Sequence, residues 1–593
     1  MDPSRQDRTR FPGPRSSTVM EIYPWKERVL AALLHRRTRL QPPSAYPWSM
    51  MDELVEITNA DNVFFDSYGA RFSSSAVSKN ANTSDIKANV GTTTTQDKKT
   101  VGEALDIDDA ALRAQGREAE LKRSFSWVGA LGLAFGITNS WLGYASCFGL
   151  ALSYGGGQTA VFGLITGGVV QWIMLLGLVE LSSALTSSGI RSTTFDISDR
   201  SFKDFAAYTV GTINVIAWWV TTAPGTFLTA ISAFGIARFW HPGFASEQWQ
   251  IYLCYVLVII ISLTPIFTIP HRHIDYLTKT CMYLSVVGFV MVLVITLVMG
   301  SDTYHPSNLV EYHGSSGWGA GPAWMMSIGI GEYAFGAAGA CTHIAEEIPR
   351  PSRRVPLQPN HGRGMVTAVP WILAAATLIQ DMESVQNSFL PSLELFYQAT
   401  GSKSAATFMQ AYMTLLYYSC IPSQWITSSR VAWAFSRDNG LPFSRYWNHI
   451  HPRYDIPVCT TLLSAGFCLL YGLLYVASSR AFNTIINTAV IMLNLTYTVP
   501  QGISATCGRH RLPRRPFDLG AWGYAVNVSS VLWLIVSGTS FCFPVALPTT
   551  VGSMNYSVVL VGIFVLVLLL WIEQRKKFSG PVIDWDMLNA SNP

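Results

Sequence analysis

Charge is what this chain has least of. Asp, Glu, Lys and Arg make up 13% of its 593 residues, about half of the roughly 25% usual in soluble domains. No charged residue occurs from Ser124 to Val179. With a mean hydropathy of +0.26, this excludes an ordinary soluble fold and points to a polytopic membrane protein. The net charge of +4 is not gathered into a basic patch, so no nucleic-acid partner is expected. No CxxC pair occurs among the nine scattered cysteines; they read as small buried hydrophobes, not as disulfides or metal ligands. His343-Ile344-Ala345-Glu346-Glu347 lacks the second His of a zinc-protease motif. No nucleophile–base pair stands out either, so neither an enzyme nor a cofactor is expected. The Arg-rich start has no apolar signal core, and insertion is expected to rely on the first membrane helix.

What is present is a series of apolar segments, each able to span about 30 Å at about 1.5 Å per residue. They fall near 127–152, 159–185, 205–237, 249–269, 280–300, 322–345, 364–380, 404–429, 458–477, 481–506, 521–546 and 554–573. The seventh is short. With the N-terminus inside, twenty Lys and Arg fall in the inside loops and C-terminal segment, against Arg238, Lys403 and Arg480 outside. That asymmetry puts both termini in the cytoplasm and supports an even number of spans. The reading is an all-α integral membrane protein in three parts. Residues 1–120 form a disordered cytoplasmic tail, ending in a short charged helix over 108–123. Residues 121–578 form a twelve-helix membrane domain, and 579–593 a short cytoplasmic tail.

Two of these segments are interrupted. The first carries Ile137-Thr138-Asn139-Ser140-Trp141-Leu142-Gly143, and the sixth has four glycines between Gly329 and Gly339. Irregular backbone at membrane depth is tolerated where it lines a cavity. Breaks in helices one and six suit two five-helix inverted repeats, a LeuT-like fold, with two helices added. Free N–H groups at such breaks suit a carboxylate, and unwound carbonyls suit an ammonium group or a cation. The expected substrate-binding residues are Thr138, Asn139, Ser140, Trp141, Gly143, Glu332, Tyr333, Phe335, Gly336 and Ala337. The plainer reading of the glycines is close helix packing. Glu332 is alone as an acid in mid-span and needs a partner or a cavity; it is read as a counter-charge for a cationic substrate or as the site of a coupling proton. Nearby aromatics offer cation–π contacts to a quaternary ammonium. Glu180, His343, Glu346 and Glu347 stand at the inner ends of segments two and six. Ion pairs with Arg350, Arg353 or Arg354 are expected to hold an inner gate there.

Four stretches carry a family resemblance: Glu120–Ser126 leading into Leu133–Trp141, Glu180–Ala184, Thr342–Pro356, and Ser429–Pro442, the last containing Arg430 and Arg437. Over about 110–580 the chain resembles the amino acid–polyamine–organocation permeases, in the fungal amino-acid/choline/GABA branch. The resemblance implies a twelve-helix permease working by alternating access with proton symport. It implies substrate sites at Thr138–Gly143 and Phe335–Gly339, and gate roles around Glu180, His343, Glu346, Glu347, Arg350, Arg430 and Arg437. Thr186, Gly189 and Gly339 depart from the family pattern, and the stretch from Asp381 to Gln398 looks most like proteins labelled choline transporters. The expectation is a plasma-membrane importer of a small amine-bearing metabolite (choline, an amino acid or GABA) together with a proton. The alternatives are an amino-acid- or GABA-specific permease and a non-transporting nutrient sensor on the same fold.

Overall fold

The computed structural model describes residues 108–185, 203–355, 360–477, 481–549, 557–580, 584, 586 and 587. Most of the expected N-terminal tail, and much of the C-terminal one, therefore lies outside the described residues.

Among the described residues the architecture is helical. The chain runs through α1 (Trp127–Thr138), α2 (Ser140–Ala184), α3 (Lys203–Trp240), α4 (Gln248–Thr268), α5 (Ile274–Met299) and α6 (Ala320–Tyr333). A 3-10 segment, Gly336–Glu347, completes the sixth span. Then follow α7 (Asn360–Leu378), α8 (Lys403–Arg437), α9 (Val458–Ala477), α10 (Ala481–Cys507), α11 (Trp522–Ser540) and α12 (Ser557–Gln574). Trp127–Ala184, Lys203–Trp240, Gln248–Thr268, His271–Met299 and Val458–Val476 are long and apolar enough to cross a membrane. Between them they hold the first five expected segments and the ninth. Helix also occupies the sixth, seventh, eighth, tenth, eleventh and twelfth. Leu253, Leu257 and Ile260 on α4, Val287 and Val290 on α5, and Leu532 and Ile535 on α11 are exposed. Such apolar outer faces suit a lipid solvent, and the chain is a multi-pass membrane protein.

The two interruptions differ in form. The first is narrower than the seven residues expected, because helix stops only at Asn139, with φ 29° and ψ 59°. Asn tolerates the left-handed region better than most residues. Helix resumes at Ser140 and continues through a bend at Gly155–Gly156, so the rest of span one and all of span two form one element. The second break starts later than the glycines suggested. α6 ends at Tyr333, and the chain then continues as 3-10 helix, a form seldom longer than about four residues.

Gly329 and Gly331 belong to α6 and serve packing instead. A Cβ on Gly331 would lie 2.6 Å from the Gly163 carbonyl oxygen, and one on Gly167 would lie 2.7 Å from that of Ile328. α2 and α6 therefore meet backbone to backbone. Residues 108–114 are helical, and Arg117 forms a buried ion pair with Asp438 at 3.0 Å. This helix lies within the charged helix expected over 108–123.

Candidate functional site

Both breaks open on one cavity, with an empty volume of about 620 Å³ including its mouth. α1 and the start of α2 contribute Thr138, Asn139, Leu142 and Gly143, and the second break contributes Tyr333, Gly336 and Ala337. Thr221, Gly225 and Leu228 come from α3, Tyr417, Cys420 and Gln424 from α8, and Ala489, Val490 and Leu493 from α10. No lining residue carries a formal charge. Two polar atoms are left without partners: the Thr138 hydroxyl and the Gln424 carbonyl oxygen. Both oxygens can accept a hydrogen bond from a ligand in the cavity. The Tyr417 hydroxyl is already committed, donating to the Leu142 carbonyl at 3.3 Å.

The Asn139 side chain is fixed from two sides. The Trp141 indole N–H donates to Ser285 Oγ at 3.1 Å, and that hydroxyl donates to Asn139 Oδ1 at 2.8 Å. The Asn139 amide in turn faces Cys420 Sγ at 3.5 Å. The kink is thereby tied to α5 and α8, and Trp141 acts as its support outside the cavity. Ser140 and Phe335 also stand outside it. Ser140 Oγ lies where a Cβ on Gly364 would go, and the Phe335 ring is wedged between Gly168 and Gly364.

Glu332 is not a cavity residue. It is fully buried and is not among the residues that line the cavity. Its carboxylate accepts from Asn494 Nδ2 at 2.7 Å and from the Trp533 indole N–H at 2.6 Å. The expectation that it faces a cationic substrate is corrected on that geometry.

The charged residues expected at a gate gather at the Arg-rich end, and include ion pairs with arginines from α8 and from the chain after α10. Arg430 Nε donates to Glu347 at 2.8 Å, with both side chains essentially unexposed. His271 lies 3.4 Å from the same carboxylate. Arg437 binds Glu346 at 2.6 Å, lies 3.9 Å from Glu120 and covers the Trp433 ring. Glu180 is held by Arg509 and Arg515. His343 pairs with no acid; its Nε2 accepts from the Trp218 indole at 2.9 Å. Arg350 turns the chain with φ 52°, and its backbone N–H donates to Asp108 at 2.8 Å. The turn leads Arg353 into solvent, while α8 carries Arg430 and Arg437 across the two glutamates. Burial raises the pKa of Asp108, opposed by the Arg350 N–H and by Arg123. Burial likewise raises that of Glu120, opposed by Arg437.

Sequence reasoning missed the walls supplied by α3, α8 and α10. Thr221 and Gln424 were visible as polar residues in apolar segments, but so were many others.

The profile of the amino acid permease family matches residues 125–565. The choline transporter of Saccharomyces cerevisiae is 30% identical over 481 residues, covering 80% of this chain and 85% of that one. The transmembrane transporter swnT of Metarhizium robertsii is 25% identical, covering 80% and 96%. An amino-acid permease BAT1 homolog of Oryza sativa subsp. japonica is 26% identical, covering 81% and 96%. Among solved structures, MhsT in complex with L-phenylalanine overlays with a TM-score of 0.48 at 13% identity, covering 71% of this chain and 99% of that one.

Proposed function

Since the chain belongs to the amino acid permease family, and is a transporter of small organic substrates and not an enzyme, we propose that it imports a small amine-bearing metabolite, choline foremost. The observation that carries this is the uncharged cavity at the two breaks. A quaternary ammonium forms no hydrogen bonds and is held by aromatic faces, at about 0.5–2 kcal/mol each. Tyr333 and Tyr417 are the aromatic residues that line the cavity. The single hydroxyl of choline matches the unpartnered Thr138 hydroxyl and Gln424 carbonyl. The likeness to a yeast choline transporter points the same way.

An amino acid or GABA is the second reading. It rests on the break at Asn139, where the start of α2 presents N–H groups suited to a carboxylate. In either reading the cavity is reached alternately from the two sides of the plasma membrane. The Arg-rich end, with both termini, faces the cytoplasm, and a proton moves with the substrate.

The test is uptake of radiolabelled choline, GABA and a mixed amino-acid set into cells lacking their own permeases, in acidic and neutral medium. Choline uptake that ignores GABA and amino acids supports the first reading. The reverse pattern moves the weight to the carboxylate-binding break. Surface-expressed protein that binds one of these ligands without moving it identifies a sensor.

A further inference from the structure

A fully buried carboxylate at membrane depth normally has a cation beside it or water around it. Glu332 has neutral donors instead. Four helices meet around it: α2, α6, α10 and α11. None of the four contains a Lys, Arg or His. Their other carboxylate is Glu180, bound by Arg509 and Arg515. Their tyrosines nearest in sequence to the cluster, Tyr333 and Tyr497, turn respectively to the cavity and to Gly339. Tyr524 on α11 lies against Arg509.

The hydrogen bonds around Glu332 form a directed chain. Gln171 Nε2 on α2 donates to Asn494 Oδ1 at 3.1 Å, and Asn494 Nδ2 donates to Glu332 at 2.7 Å. Trp533 donates to the other carboxylate oxygen at 2.6 Å. Gln171, Asn494 and Glu332 are each at most 1% exposed. Every bond points toward the carboxylate, as an ionised acceptor requires. At the far end, Gln171 Oε1 is buried without a partner.

A carboxylic acid needs the opposite polarity, because its O–H must donate. Turning the Asn494 amide presents Oδ1 to that O–H. Turning the Gln171 amide in register lets Asn494 Nδ2 donate to Gln171 Oε1, the atom left without a partner in the ionised arrangement. Trp533 goes on donating to the second oxygen. The same four side chains thus serve both protonation states with no change of backbone.

The chain also stands where it can act on the cavity. Tyr333, the next residue after Glu332, and Leu493, the residue before Asn494, both line it. The bond from Asn494 to Glu332 therefore ties two of its walls together. α2 and α6 are locked by their glycine contacts. Protonation of Glu332 thus changes the bond between that pair and α10.

Resting on the reading of the chain as a permease, we propose that Glu332 is the proton-carrying site of transport. Trp533, Asn494 and Gln171 are positioning residues that hold it in either protonation state. Substrate and proton then occupy neighbouring but separate sites, which share the α6–α10 wall.

The experiment uses purified full-length protein in liposomes, with radiolabelled choline, and with GABA and mixed amino acids in parallel. Two modes are compared: accumulation driven by an imposed acid-outside gradient, and counterflow against preloaded unlabelled substrate. In the wild type the gradient is expected to drive accumulation. In Glu332→Gln, gradient-driven accumulation is expected to fall by at least about tenfold, while counterflow persists and no longer responds to pH. Should Glu332→Gln lose both modes, Asn494→Ala decides. Removing one donor to the ionised form should move the pH profile of uptake toward alkaline pH by about one unit. An unmoved profile overturns the proposal, as does gradient-driven accumulation that survives Glu332→Gln. Wild-type transport indifferent to the gradient overturns the proton role and leaves the permease reading standing. A wild type inactive in both modes with every substrate overturns the permease reading itself.

Discussion

The cavity and the Arg-rich end are both polar regions within a largely apolar protein, and they are built on opposite rules. Around the cavity no residue is charged, and two polar atoms wait without partners. At the Arg-rich end Glu180, Glu346 and Glu347 each have an arginine within hydrogen-bond reach. One region has no charge of its own to offer a ligand. The other is built from ion pairs, though Glu347 Oε2 and Arg430 Nη2 there are also without hydrogen-bond partners, and it holds together elements distant in sequence: Arg430 reaches Glu347, and Arg509 reaches Glu180. A transporter needs both kinds, a site that is easily filled and left, and contacts that define one of its states.

The sharpest way to break this contrast is to strand a charge where charges are paired. Arg430→Ala leaves Glu347 buried and uncompensated, a loss of about 3–5 kcal/mol. The melting temperature of detergent-purified protein should drop steeply. The pair of changes Arg430→Met and Glu347→Leu should regain most of that loss, because no lone charge remains. A drop no larger than that of an exposed-surface variant would deny the pair its role.

Gly331→Ala tests the locked face of α6. Its new methyl meets the Gly163 carbonyl, and overpacking of this kind costs about 1–3 kcal/mol. Lowered thermal stability is expected, with substrate affinity in the surviving protein little changed. Tyr333→Leu tests the opposite side of the same helix. Stability should change little, while the KM for choline rises by about tenfold, the equivalent of losing one cation–π contact. Equal KM values before and after would remove Tyr333 from the site.

The smallest effect is expected at Asp108. Its carboxyl is held above its ordinary value by burial. The docked segment therefore binds the proton more tightly than the free one. Docking is complete below the ordinary carboxylate pKa and weakens as pH rises through the raised value. Asp108→Asn should remove that dependence and alter stability by less than about 1 kcal/mol. Hydrogen exchange over residues 108–123, corrected for intrinsic rates, reads it directly.

The membrane segments were legible because lipid demands long apolar runs, and charge is excluded from them. Asn139 and the Tyr333–Gly336 stretch were legible because polar or glycine-rich chain at that depth has few structural uses. Glu332 was placed on the correct helix but facing the wrong way. Successive helical residues point about 100° apart, so neighbours such as Glu332 and Tyr333 serve different surroundings, and no run of residues says which side is the cavity. The partners on α8 were not legible for another reason. The backbone turns at Arg350, and Arg430 and Arg437 reach Glu347 and Glu346 from α8. Contacts made across the bundle leave no local pattern in the chain.

The 3-10 segment between Gly336 and Glu347 bears on how the two regions communicate. A 3-10 helix rises about 2.0 Å per residue and an α-helix about 1.5 Å. Over its twelve residues the difference amounts to at most about 6 Å. The segment is thus longer than an α-helix of the same residues, and it bends at Ile344, with the cavity at one end and the Glu346–Glu347 clasp at the other. Rewinding it would shorten the span and draw the clasp toward the ligand, so that length itself is a means of carrying a signal between them.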